Sequence, residues 1–120
     1  MTTGKFFGNV PYIPIMLVNG AAIQCPFFAL DTGFTGDLLI TSKMAKEIGV
    51  MPQGVTPIQI AGGATINLEF GTSLAMLNDE PKEIQVLIAG GMPLAGIDLF
   101  TKFGCRISVD CVNRTVEVEN

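Results

Sequence analysis

The sequence predicts a small all-β barrel with one or two short helices. Apolar segments rich in β-forming residues recur along the chain, and Gly, Pro, Asn or Asp residues separate them as turns. Only two short segments favour a helix. A chain of 120 residues can bury a core without metals or disulfides but is too short for two lobes, so residues 1–120 are expected to form one domain.

The first third of the chain is predicted to contain two strands joined by a tight turn. Residues 12–18 are rich in β-formers, and Asn19-Gly20 is a strong signal for a two-residue hairpin. The returning strand is expected to cover residues 21–30, with an edge or a bend at Pro26. Residues 37–40 then resume an extended path.

The middle of the chain contains the clearest helix and a second hairpin. Thr41 or Ser42 can cap a short helix that ends at Gly49. Residues 56–60 and 65–70 alternate apolar and polar side chains on either side of a glycine-containing tip. These two segments are predicted to form a hairpin with a flexible tip.

The last third is predicted to contain two strand pairs and a short helix. Residues 72–77 and 83–88 read as strands separated by a polar turn. One or two helical turns follow at residues 98–103, with Asp98 as the expected cap. Residues 106–110 and 115–119 are predicted to form the closing hairpin.

Composition excludes several classes of function. The net charge is -4 and the seven basic residues are scattered, so no basic stripe is available for nucleic acid. The chain has no apolar run long enough to span a membrane and no signal-peptide core, so we expect a soluble, cytoplasmic protein. Histidine is absent, which excludes Ser-His-Asp and Cys-His catalysis and His-rich zinc sites. We therefore predict no metal and no cofactor.

Two further features of the composition concern assembly and redox state. The hydrophobic share is 48% and the charged share 15%, which suggests that a partner subunit covers some apolar surface. The three cysteines are an odd number without metal-site spacing, and reduced thiols are expected. Cys105 and Cys111 are predicted to share one face of a strand as small buried hydrophobic residues.

The most informative segment is residues 27–36, in which an apolar strand ends in Asp31-Thr32-Gly33. A carboxylate in such a turn can lie on the floor of a cleft, where its neighbours determine its ionisation. An ordinary Asp/Gly turn at the end of a strand is the alternative when the tripeptide is considered alone.

Three features in order resemble the retropepsin-like aspartic proteases. Asp31-Thr32-Gly33 is similar to the catalytic motif of that family and is followed by the apolar residues 38–40. The hairpin around Gly62-Gly63 occupies the position of the flap, and residues 94–100 resemble the second hallmark, two apolar residues and a glycine before a short helix. The resemblance implies an acid-protease-like closed β-barrel with a flap hairpin.

The resemblance also implies roles for individual residues. Asp31 would be the catalytic carboxylate, Thr32 would hydrogen-bond to the matching loop of a partner subunit, and Gly33 would leave backbone room for substrate. Substrate would be contacted by Phe34, Ala61, Gly62, Gly63 and Ala64. The catalytic turn would be supported from behind by Leu94, Ala95 and Gly96.

Peptide hydrolysis of this kind needs two carboxylates that share a proton, and the chain has one suitable turn. Asp79, Asp98 and Asp110 are better explained as turn, cap and surface residues. The second carboxylate is therefore expected from Asp31 of a second copy, in a homodimer that cleaves an extended peptide. The alternative is a non-catalytic, dimeric peptide-binding or scaffolding module, which is favoured by Phe34 because many members of the family carry Ser or Ala there.

Overall fold

The computed structural model describes residues 1–60 and 62–120, which form twelve strands and two short helices. The predicted all-β class is confirmed. The strands are β1 (Thr2–Phe7), β2 (Val10–Pro14), β3 (Met16–Asn19), β4 (Ala22–Gln24), β5 (Phe27–Leu30), β6 (Leu38–Ile40), β7 (Gly54–Gln59), β8 (Thr65–Leu77), β9 (Glu80–Ile88), β10 (Leu94–Ala95), β11 (Arg106–Asp110) and β12 (Thr115–Glu119), and the helices are α1 (Ser42–Ile48) and α2 (Ile97–Phe103).

All strands belong to one sheet, but that sheet does not close on itself. The pairing order is β11-β12-β1-β2-β5-β10-β6-β9-β8-β3-β4, and β7 pairs with β8. The two ends of this path, β11 and β4, do not pair with each other in the described residues, so the expected closed barrel is wrong in this respect. The reason is that β8 divides its edge between β7 and β3, so two hairpins leave the sheet there instead of closing it.

Three short strands in the centre of the sheet carry the candidate site. β10 lies between β5 and β6, parallel to β5 and antiparallel to β6. Its residues Leu94 and Ala95 are in register with Ala29 and Leu30, the last two residues before the turn at Asp31. The ends of these strands therefore bring the two predicted motifs together.

Several predicted strand boundaries differ in the structure. The returning strand predicted at 21–30 is two strands, β4 and β5, separated at Cys25 and Pro26. The predicted strand 12–18 is two strands, β2 and β3, because the chain changes partners at Ile15, whose N–H donates to the carbonyl of Pro26. The predicted strands at 65–70 and 72–77 are one strand, because β8 continues through Gly71. A Cβ at Gly71 would lie 2.6 Å from the Met51 carbonyl oxygen, so glycine here allows a close approach of two backbones.

The two helices confirm one predicted cap and correct the other. α1 has Thr41 as its N-cap, whose hydroxyl accepts from the N–H of Met44 at 3.1 Å, and it ends at Gly49 with φ 84°. α2 has Gly96 as its N-cap, with no side-chain hydrogen bond, so the expected cap at Asp98 is wrong. Asp98 lies two residues further on, in the first turn of α2, where its negative charge is favourable near the helix N-terminus.

The core lies between the sheet and the inner faces of the two helices. Its largest fully buried side chains include Phe28 of β5 and Leu38 of β6, and α2 contributes Leu99, Phe100 and Phe103. Each such side chain stabilises the fold by about 1.5–3 kcal/mol, so β5 and β6, which lead into and out of the candidate site, are anchored in the core.

The cysteines differ from the expectation of a shared buried face. All three are free thiols; Cys105 is half-buried, whereas Cys25 and Cys111 are exposed. The reason is that β11 ends at Asp110, so Cys111 belongs to the following turn.

Neither helix of the described residues has the length and apolarity needed to cross a membrane.

Candidate active site

Asp31 lies directly after β5, in a turn whose backbone is fixed on both sides. Its N–H donates to the carbonyl of Ala95 at 3.0 Å, and its own carbonyl accepts from the N–H of Phe34 at 3.1 Å. The carboxylate Oδ1 accepts from the N–H of Gly33 at 3.0 Å. The side chain is half-buried, which leaves the carboxylate oriented by the turn and accessible from one side.

The segment from Leu94 to Gly96 lies behind this turn, as the sequence pattern predicts. The N–H of Gly96 donates to the carbonyl of Asp37 and the N–H of Ile97 to that of Phe34, both at 2.9 Å. A Cβ at Gly96 would overlap the carbonyl oxygen of Gly36 and would lie 2.6 Å from that of Phe34. Two backbones are therefore packed so closely here that a side chain has no room.

A groove of about 710 Å³ lies in front of Asp31, between the turn and the β7–β8 hairpin. Asp31 is the one charged residue among the described residues that line it. The others are Gly33, Phe34, Thr35, Leu39, Ile58, Gln59, Ile60, Ile66, Leu68, Ala89, Gly90 and Leu94. A single carboxylate in a mostly apolar groove with a few polar side chains, here Thr35 and Gln59, is a common arrangement in sites that bind and orient a ligand.

The β7–β8 hairpin covers the groove with its strands rather than with its tip. The tip is closed by a hydrogen bond of 2.9 Å from the N–H of Ile60 to the carbonyl of Ala64, and Gly62 and Gly63 have φ of 89° and 85°. Gly62, Gly63 and Ala64 are exposed and do not line the groove of the single chain. Their contact with substrate stays a prediction, and Ala61 lies outside the described residues.

An ion pair between a buried carboxylate and a half-exposed lysine was not predicted from the sequence. Asp37 is 2% exposed, and its Oδ2 accepts from the Gln85 N–H at 2.9 Å and from the Nζ of Lys102 in α2. Its Oδ1 is buried without a hydrogen-bond partner among the described residues. Because Lys102 is distant in sequence, the only local signal for this ion pair is the acidic Asp37 immediately before the apolar residues 38–40.

The remaining predicted residues surround the same turn. Phe34 lines the groove, whereas Thr32 is exposed and does not line it. The predicted role of Thr32 in contacting a partner subunit stays a prediction. Among the described residues, no group of three or more Cys, Asp or Glu side chains is arranged to hold a metal ion.

Comparisons with known proteins place this geometry in one structural class. No protein-family model matches the chain, and no curated protein matches its sequence. A retropepsin-like aspartic protease from Rickettsia conorii superposes with a TM-score of 0.63 and 18% identity, over 100% of this chain and 91% of that one. The protease of EIAV, in complex with the inhibitor HBY-793, has the same TM-score with 14% identity, over 83% of this chain and 93% of the other. The chain therefore has the fold of the retropepsin-like aspartic proteases.

Proposed function

We propose that this protein is an aspartic endopeptidase in which Asp31 supplies half of a catalytic pair. The observation that carries the proposal is the position of Asp31, the one charged side chain among the described residues of a groove whose lining is mostly apolar. The turn fixes the carboxylate through the Gly33 N–H and ties its backbone to β10. The fold of the chain supports the same chemistry, because both similar structures are described as proteases.

The chemistry requires a second carboxylate within hydrogen-bond distance of the first. In such a pair, one ionised carboxylate takes a proton from the attacking water while the other, protonated, donates a hydrogen bond to the scissile carbonyl. Two like charges at this distance do not both ionise easily, so the pair shares one proton. The products are a free carboxylate and a free amine, and no covalent intermediate is needed.

The second carboxylate comes from Asp31 of another copy across a two-fold axis. The described part of this chain places no other Asp or Glu in the groove. Thr32 is exposed and does not line the groove, and Ile97, whose N–H is bonded to the Phe34 carbonyl, is 38% exposed. These exposed positions beside Asp31 are available for a self-complementary contact between two copies.

The groove fits an extended peptide with apolar side chains. Ile58, Ile60, Ile66 and Leu68 line it from the hairpin, and Leu39 and Leu94 line it from the sheet. An extended peptide between these two layers would present alternate side chains to each, and its ends would remain in solvent.

The variant Asp31→Asn tests the proposal, because the amide keeps the shape of the side chain but cannot accept the proton. We expect cleavage of a peptide library to fall by about 1,000-fold or more, while the dimer remains folded by sedimentation and circular dichroism. The matched control is Asp79→Asn, the same change at an exposed turn residue with φ 63°, which should leave cleavage unchanged. Equal cleavage by Asp31→Asn and the unaltered protein would rule the proposal out.

A peptide-binding module without hydrolysis is the second candidate. It is favoured by the presence of Phe34 in the groove, because a bulky apolar side chain beside Asp31 limits the room for an attacking water. If peptides bind with measurable affinity but no peptide of the library is cleaved between pH 3 and pH 7, the binding module is the correct function.

A further inference from the structure

A patch of three aromatic rings and one lysine has no part in the chemistry proposed above. The ring of Phe7 packs edge-to-face against Tyr12 at 5.1 Å and against Phe27 at 5.6 Å between ring centres. The Lys5 Nζ lies 5.1 Å from the centre of the Phe7 ring and 4.9 Å from that of Phe27. We call these four residues the Lys5 patch. Because the ring faces attract cations, the aromatic side chains hold the ammonium group in one region.

The Lys5 patch is open to solvent, and its positive charge is not neutralised. Phe7 is 48% exposed and Lys5 is exposed. The ion pairs of the described residues join Lys82 to Glu80 and Lys102 to Asp37, and neither involves Lys5. An exposed aromatic surface beside a free ammonium group can bind an anionic side chain together with its apolar stem.

Strand register places the Lys5 patch on the same face of the sheet as the floor of the groove. Lys5 is directly opposite Tyr12, Tyr12 is opposite Ala29, and Ala29 is opposite Leu94, which lines the groove. Side chains that are opposite each other on neighbouring strands lie on one face. The Tyr12 hydroxyl also donates to the Met92 Sδ at 3.5 Å, which connects the patch to the segment before Leu94.

The separation between groove and patch corresponds to a short piece of extended peptide. From Leu94 to Lys5 there are three steps between neighbouring strands, and at about 4.8 Å per step the separation is roughly 14 Å. An extended chain advances about 3.3 Å per residue, so roughly four residues cover this separation. Leu94 precedes Ala95, whose carbonyl accepts from the Asp31 N–H, so a peptide whose scissile bond lies at Asp31 passes close to Leu94. It can therefore reach Lys5 with a side chain about four residues away.

We propose that the Lys5 patch is an outer subsite that binds an acidic side chain, about four residues from the scissile bond, of a peptide held in the Asp31 groove. The inference rests on the proposed function and specifies its substrate class. The carboxylate of the peptide pairs with the Lys5 ammonium group, and its apolar stem packs on Phe7. A two-fold dimer has two such patches, one on each subunit, so an acidic residue can be bound on the N-terminal or on the C-terminal side of the scissile bond.

Binding to the Asp31→Asn variant tests the subsite without requiring cleavage. The probes are three fluorescent peptides of ten residues with two apolar residues at the centre, identical except for Glu, Gln or Lys four residues before the central pair. We expect the Glu peptide to bind about three- to ten-fold more tightly than the Gln peptide, and the Lys peptide to bind most weakly. The difference should shrink when salt rises from 0.05 M to 0.5 M, because the pair is exposed.

Second substitutions then assign the selectivity to one lysine. Lys5→Gln should abolish the preference for Glu, and Lys5→Glu should reverse it in favour of the Lys peptide. The control is Lys43→Glu on α1, which changes the net charge equally at an exposed position outside the patch and the groove and should preserve the preference.

Several results would overturn the inference. These are equal affinity for the three peptides, no measurable binding of any of them, or an equal loss of selectivity with Lys43→Glu. A change of the monomer–dimer equilibrium in Lys5→Glu with unchanged peptide selectivity would assign the patch to the dimer contact instead. If Glu-selective binding is found but the unaltered protein cleaves no peptide, the proposed hydrolysis fails and the subsite stands.

Discussion

Removal of the Lys102 ammonium group should destabilise the protein by leaving the Asp37 carboxylate buried without its cation. Breaking a fully buried ion pair costs about 3–5 kcal/mol, whereas an exposed pair contributes about 0–1 kcal/mol. The pair here lies between these limits, because the Asp37 side chain is 2% exposed and that of Lys102 is 47% exposed. We therefore expect Lys102→Met to lower the free energy of unfolding by about 2 kcal/mol.

Urea unfolding followed by circular dichroism measures this loss. With a slope of about 2 kcal/mol per molar urea, the midpoint should fall by about 1 M at fixed protein concentration. The matched control is Lys82→Met, because Lys82 and Glu80 form a 3.2 Å pair whose side chains are 37% and 43% exposed. That variant should move the midpoint by less than about 0.5 M.

A double-mutant cycle separates the ion pair from the packing of the Lys102 stem. If the pair is responsible, Lys102→Met should cost little in a protein that already carries Asp37→Asn, because the buried charge is then absent. The reasoning is refuted if Lys102→Met and Lys82→Met shift the midpoint equally, or if Lys102→Met costs the same with and without the Asp37 carboxylate.

Further predictions concern a glycine contact and the thiols. Gly96→Ala should lower the free energy of unfolding by about 3 kcal/mol, seen as a fall in Tm of about 10 °C, because its Cβ would overlap backbone; Gly90→Ala, where nothing lies within 4 Å, should have no such effect. A Tm of Gly96→Ala within 2 °C of the unaltered protein would contradict the close packing. Burial raises the pKa of the Cys105 thiol, so at pH 8 this thiol should react with a maleimide more slowly than Cys25 and Cys111, and its rate should rise only at higher pH. Mass spectrometry of the labelled peptides measures the three rates, and equal rates would contradict the prediction.

Local signals were sufficient to predict the elements that begin and end with specific side chains. Thr41 and Gly49 delimit α1 because a hydroxyl cap and a left-handed glycine act within a few residues. The hairpin at Asn19-Gly20 formed for the same reason, with Asn19 opposite Ala22. The turn at Asp31 was likewise predicted from the residues on either side of it.

The properties that were missed depend on residues that are distant in sequence. The ion pair joins Asp37 to Lys102 over 65 positions, and each residue alone resembles an ordinary surface charge. The open sheet follows from the way β8 shares its edge between two partners, which no local pattern encodes. The Lys5 patch needs the register of β1, β2 and β5, although its aromatic residues are visible in the sequence.

Because β8 is uninterrupted, the hairpin over the groove has no hinge at its base, and it can move only if the strand itself bends. This strand runs from Thr65 to Leu77 without a break, and its second half pairs with β9 at buried residues that include Gly71 and Ser73. Widening the groove therefore requires β8 to bend, and this bending also strains the buried part of its pairing with β9. The stiffness of that distant pairing, as well as the glycines at the tip, sets how far the groove opens.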